Sequence, residues 1–130
     1  MIEYFLNHDL HLTVCTLSGI VTLAEVRKFQ FELWSIPLTG RYDCLIDISP
    51  MDSLELLDSG AETMNEITTR VARLDTGTIA NRLFLVAPKD WQYGLARMYS
   101  QYRMMKHRRR TYVVRSMTRA FELLALERGL

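Results

Sequence analysis

The chain has 130 residues, of which 48% are hydrophobic and 24% charged, and its formal net charge is +1. That length and apolar content suit one domain, residues 1–130, with its own core, and leave no room for a catalytic domain joined to a separate regulatory one. No run approaches the ~20 consecutive apolar residues of a membrane span, and Met1-Ile2-Glu3-Tyr4 lacks the basic start of a secretory signal, so a cytoplasmic location is expected.

Ile2–Leu6 and Leu10–Leu17 are strand candidates, and Asn7-His8-Asp9 between them supplies turn residues, which together predict an antiparallel hairpin. Thr22 and Glu25 form a Thr-x-x-Glu capping box at the start of a first helix. Its apolar stripe is Leu23, Val26, Phe29, Leu33 and Trp34, and Pro37 and Gly40 end it. Tyr42–Ile48 follows as a strand. Asp52 and Glu55 suggest a second capping box, opening a helix whose apolar residues run from Leu54 to Leu74 with Gly60 as a break or kink inside it.

Leu83-Phe84-Leu85-Val86 shows no polar alternation, the pattern of a strand buried on both faces in a parallel sheet. Asp90 is placed to cap the third helix, whose buried stripe is expected to be Trp91, Leu95, Met98, Tyr102 and Met105. Thr111–Val114 forms a last strand. Ser116 caps a closing helix with core residues Met117, Ala120, Phe121 and Leu124, and Gly129 lies past its end. The order is a hairpin followed by β-α units. Right-handed crossovers then predict an α/β domain with a mixed, mostly parallel five-stranded sheet.

Charge is unevenly spread. Residues 1–60 hold three Lys/Arg against nine Asp/Glu, whereas residues 61–130 hold thirteen against six, and no acid lies between Asp90 and Glu122. Lys106, Arg108, Arg109 and Arg110 concentrate the excess and could meet an anionic partner, a protein or a lipid headgroup. Tyr99, Tyr102 and Tyr112 interleave with the arginines, but no RNA-binding signature or groove-reading motif accompanies them, so nucleic acid is not the expected partner. Cys15 and Cys44 fall in strands with no Cys-x-x-Cys or Cys/His cluster, and are read as buried free thiols with no metal or cofactor. His8, His11 and His107 have no nucleophile or carboxylate at a telling spacing, and no nucleophile elbow or phosphate-cradling loop is present. Catalysis is not expected.

Three binding surfaces remain. In an open parallel sheet ligands collect at the carboxyl ends of the strands, here Asp47, Ser49, Lys89, Asp90 and Arg115, although ordinary capping loops would use the same residues. A 100° helical step puts Tyr93, Arg97 and Met104 on the flank or outer face of the third helix. Those types are enriched at interface centres, which points to a protein partner and to homo-oligomers. A pocket lined by Phe84, Met98, Tyr99, Tyr102 and Met105 would instead suit an apolar or lipid-like ligand, though core packing uses the same side chains.

Several pieces in order carry a resemblance: Met1-Ile2-Glu3-Tyr4, Ser18-Gly19 before Val21-Thr22, Arg41 to Asp47, and Val86-Ala87-Pro88-Lys89-Asp90 before Tyr93-Gly94-Leu95-Ala96-Arg97-Met98. With that element order the chain resembles the SpoIIAA-like family of small bacterial proteins, also described as STAS/SEC14-like domains, over nearly its whole length. The resemblance implies a STAS-like single domain. Better-known relatives act as phospho-regulated partners of other proteins, and SEC14-type relatives carry lipids. Among those relatives, STAS antagonists of anti-sigma factors carry a phosphorylatable serine in an Asp-Ser-Ser-Gly turn. Here Asp58-Ser59-Gly60 is the nearest match, one serine short, which makes Ser59 the candidate phosphosite.

Overall fold

The computed structural model describes residues 1–34, 42–56, 60–74, 82–106 and 110–127. The hairpin is present: β1 (Ile2–Asn7) pairs antiparallel with β2 (Leu12–Leu17). The turn is longer than the sequence suggests. Leu10 is exposed within it, and His11 adopts a positive φ of 49°. β4 (Asp43–Asp47), β6 (Leu83–Val86) and β7 (Thr111–Val114) complete one five-stranded sheet in the order β1-β2-β4-β6-β7, with every pair after the first parallel. The expected α/β architecture and sheet are therefore observed, and the described residues hold two further strands. β3 (Gly19–Val21) and β5 (Met51–Leu54) form a separate two-stranded parallel sheet. Gly19 turns the chain out of the main sheet at φ 64°, a left-handed conformation that glycine adopts without a Cβ penalty.

β5 corrects the second-helix expectation. Asp52 and Glu55 cap nothing there: Met51–Leu54 is extended, and α2 (Gly60–Leu74) starts later. Met51 and Leu54 are three residues apart, so they read equally as a helix turn or as the two anchored ends of a short strand. Pairing with β3 and hydrogen bonds such as Glu55 N–H to Val21 O (2.8 Å) decide for the strand. Gly60 is the first residue of α2, with no kink to make.

Side chains alternate across β6 as a doubly covered strand requires. Leu83 and Leu85 join Val26, Met64 and Ala96 under α1 (Leu23–Trp34), α2 and α3 (Asp90–Lys106). Phe84 and Val86 join Leu12, Leu45, Val114 and the α4 (Met117–Glu127) residues Ala120 and Leu124 on the opposite face. The Thr22–Glu25 capping box forms, with Glu25 N–H donating to Thr22 Oγ1 (3.2 Å) and the hydroxyl meeting Glu25 Oε1 (3.2 Å). Ser116 Oγ likewise accepts from Arg119 N–H (3.1 Å) at the start of α4. An ion pair between Arg27 and Glu66 ties α1 to α2. Phe121, expected in the core, is 43% exposed, because the face that α4 turns to the sheet is centred on Ala120 and Leu124.

Candidate functional site

The outer helix face depends on how α3 is rotated. Among its described side chains the buried ones are Gln92, Ala96, Ser100 and Arg103, a small and polar set. Leu95, Met98 and Tyr102 are half-buried flanks and Trp91 is 43% exposed. Hydrophobicity therefore misplaced the centre of the buried arc. Ala96 and Ser100 let the helix lie close to its neighbours, and Gln92 satisfies its own polar atoms.

The rotation still leaves Arg97 and Met104 outside, Met104 at 61% exposure. With Tyr93 they span an arc of roughly 40° at 100° per residue. Tyr93 is half-buried, and the Arg115 guanidinium lies 4.2 Å over its ring centroid. A Cβ placed on exposed Gly94 would meet open space. Of the basic segment, Lys106 ends α3 and Arg110 is exposed before β7; Arg108 and Arg109 lie outside the described residues.

The carboxyl edge of the sheet is closed by hydrogen bonds within the protein. Asp47 Oδ1 accepts from Ser49 N–H (3.0 Å), fixing the turn after β4. Arg115 Nη1 donates to Asp90 Oδ1 (2.7 Å) and to Pro88 O (3.3 Å) while stacking on Tyr93. The predicted cap is corrected here. Asp90 is the first residue inside α3, and its side chain goes to Arg115. Lys89 O accepts the first helical bond, from Tyr93 N–H (2.8 Å). Gln92 supplies the return half of a capping box by accepting from Lys89 N–H (3.2 Å).

Gln92 is the residue that sequence reasoning missed. Fully buried, it donates through Nε2 to the carbonyls of Ile48 (2.8 Å), Ser49 (3.2 Å) and Met51 (3.0 Å). One side chain thus joins the β4–β5 turn to the start of α3. A glutamine at the third position of a helix was the available signal, overshadowed by Asp90.

Behind this edge, between the sheet and α1–α3, lies a cavity of about 140 Å³. Its wall is predominantly apolar and includes Val26, Ile46, Ile67, Leu83, Leu85 and Ala96. Of the pocket residues expected from sequence, Tyr99 alone among those with described side chains lines it. Phe84 faces α4, where it stacks on Tyr112 at 5.1 Å, and Met98 and Tyr102 flank α3 outside the lining. The Met105 side chain lies outside the described residues. Polar groups gather at one end. Thr13, Cys44 and Leu83 are in register across β2, β4 and β6 near the strands' amino ends, and Thr13, Gln30, Arg82 and Arg103 all reach the cavity.

Cys15 is fully buried. A hydrogen bond with Cys44, reinforced by burial, raises its thiol pKa well above the ordinary value. Cys44 is half-buried, and neither cysteine is in a disulfide. His8 Nδ1 lies 2.7 Å from Tyr42 Oη, and the His11 ring is tilted against the same tyrosine at 5.3 Å. Among the described residues no three His, Cys, Asp or Glu gather as metal ligands, and no helix is long and apolar enough to cross a membrane. Ser59 lies outside the described residues, directly before the first residue of α2.

No family model and no curated protein matches the sequence. Solved structures do. An uncharacterised protein of the DUF3478 family with a SpoIIAA-like fold, from Shewanella loihica, superposes with a TM-score of 0.62 at 16% identity, covering 95% of this chain and 92% of its own. The anti-sigma factor antagonist SpoIIAA, in its unphosphorylated form, gives 0.60 at 11% identity with both chains fully covered. The five-stranded mixed sheet and its four helices thus give this chain the SpoIIAA-like α/β fold.

Proposed function

We propose that this chain is a non-catalytic STAS-type regulatory module of the cytoplasm that works by protein–protein interaction and self-associates through the outer face of α3. The observation that carries the reading is the exposed pair Arg97 and Met104, a cation and a thioether clear of the core, beside the half-buried ring of Tyr93 at its margin. Gly94 gives a partner's backbone room to approach. Lys106, Arg108, Arg109 and Arg110 form an electrostatic rim, which speeds encounter with an acidic partner more than it adds affinity. The fold is shared with an anti-sigma factor antagonist, itself a protein-directed regulator. Ser59 is the proposed phosphosite, since the sequence sets it one residue before α2, where a helix start favours negative charge.

The test is sedimentation of the Arg97→Glu, Met104→Asp double variant. In a two-fold dimer each change occurs twice in the interface. The variant should run as a monomer with a native circular dichroism spectrum, because both positions are exposed. A wild type that is monomeric at high micromolar concentration, or a variant that stays dimeric, would refute self-association. A second reading, a carrier of an apolar or lipid-like ligand, is favoured by the cavity under α1–α3.

A further inference from the structure

We infer that the cavity binds a small apolar carboxylic acid as its anion, with the carboxylate held by Arg103 at the amino end of the parallel strands and the ring or chain enclosed by the apolar wall. The inference rests on the carrier reading and gives it a ligand class and an anchoring residue.

Arg103 is the decisive group. It is only 5% exposed and lines the cavity, yet no hydrogen-bond acceptor or carboxylate meets it among the described residues, and its Nε is buried without a partner. A guanidinium does not deprotonate to escape burial, as a lysine can. An enclosed positive charge with no counter-charge is among the most unfavourable groups a domain can hold. Its Nε–H and Nη–H form a planar fork that a carboxylate matches with two parallel bonds.

The neighbouring polar atoms mark the same end. Thr13 Oγ1 and Gln30 Oε1 are also buried without partners, and both residues line the cavity. Gln30 has already committed its amide group to Ile67 O (3.1 Å), so its free oxygen can only accept. Water could satisfy these two groups. It would leave the charge on Arg103 uncompensated. Arg82 adds a second positive charge to the same wall.

The remaining lining sets the size and polarity of the rest of the ligand. About 140 Å³ compares with the roughly 150 Å³ apolar cavity that accepts benzene, so the buried portion is a single ring or a short acyl chain. Gln92 is buried across the carboxyl edge with its hydrogen bonds met, and the unpartnered polar groups that could receive a head lie at the opposite end of the sheet.

The experiment titrates the whole chain with benzoate and octanoate, and in parallel with benzyl alcohol and octan-1-ol, following ligand-observed NMR and thermal unfolding. The acids should bind more tightly than the alcohols and raise the melting temperature. Arg103→Met should weaken the acids roughly ten- to hundredfold while leaving the alcohols unchanged. Arg103→Lys, which keeps the charge but loses the fork, should fall between. Alcohols binding as well as acids, or Arg103→Met retaining acid affinity, would overturn the carboxylate assignment and leave the carrier reading intact. Neither class binding would overturn both. Should Arg103→Met fail to fold, the wild-type ranking of acid against alcohol still decides.

Discussion

Replacing Gln92 by leucine should destabilise the domain severely, although no charge is lost and volume is nearly kept. The two hydrogens of the glutamine Nε2 serve three carbonyls, so one is shared, and its Oε1 accepts from Lys89 N–H. Ile48 O keeps a second donor, Met51 N–H at 3.0 Å, so the groups left short are Ser49 O, Met51 O and Lys89 N–H. At about 1 kcal/mol for each bond lost, the expected cost is about 3 kcal/mol. For a chain of this length that lowers the melting temperature by roughly 10 °C. Urea unfolding with circular dichroism measures it directly. Gln92→Glu sharpens the test. Its carboxyl would face three carbonyls in a buried site, which favours the protonated acid and raises the folded-state pKa above the unfolded value. A raised acid pKa contributes stability at low pH and loses it as pH rises, so the deficit of Gln92→Glu should widen from about pH 4 to pH 7. A Gln92→Leu variant within about 1 kcal/mol of wild type, or a Gln92→Glu deficit flat with pH, would refute the idea that this side chain holds the edge together.

Maleimide should label half-buried Cys44 before fully buried Cys15, whose raised pKa starves it of thiolate, and Cys15 labelling ahead of Cys44 in the folded protein would contradict the assigned packing. The same raised pKa should make stability fall as pH climbs past the ordinary thiol value, an effect that Cys15→Ala removes in a pH series of urea melts. Arg115→Ala should cost less than about 1 kcal/mol in urea unfolding, because its ion pair with Asp90 is solvent-exposed.

The main sheet was readable because its evidence is local. The continuous apolar run Leu83–Val86, short and followed by Pro88, fits a doubly covered strand, and the Thr22–Glu25 box forms where its spacing puts it. The failures share a cause. Residues 51–55 carry helix-like spacing, and only pairing with β3, thirty residues away in the chain, settles them as a strand. Apolar character does not mark the buried face of α3, because close packing there is made by Ala96 and Ser100 and by a glutamine with every hydrogen bond met. The cavity was invisible for a similar reason. Its polar end draws Thr13, Gln30, Arg82 and Arg103 from four elements or their flanks, and no periodicity links them.

The strand order leaves β7 at one margin of the sheet, its outer backbone unpaired within the five-stranded sheet. Such a margin invites a second copy to add its own strand. Here the four residues Thr111–Val114 are bracketed by Arg110 and Arg115. If two copies met there about a two-fold axis, antiparallel, Arg110 of each would stand against Arg115 of the other, at both ends of a contact only four residues long. Asp90 offsets part of the Arg115 charge, so the two encounters weaken such a contact, which gains few new hydrogen bonds, rather than forbid it. The same arginines that make this half of the chain basic thus disfavour its growth by strand addition.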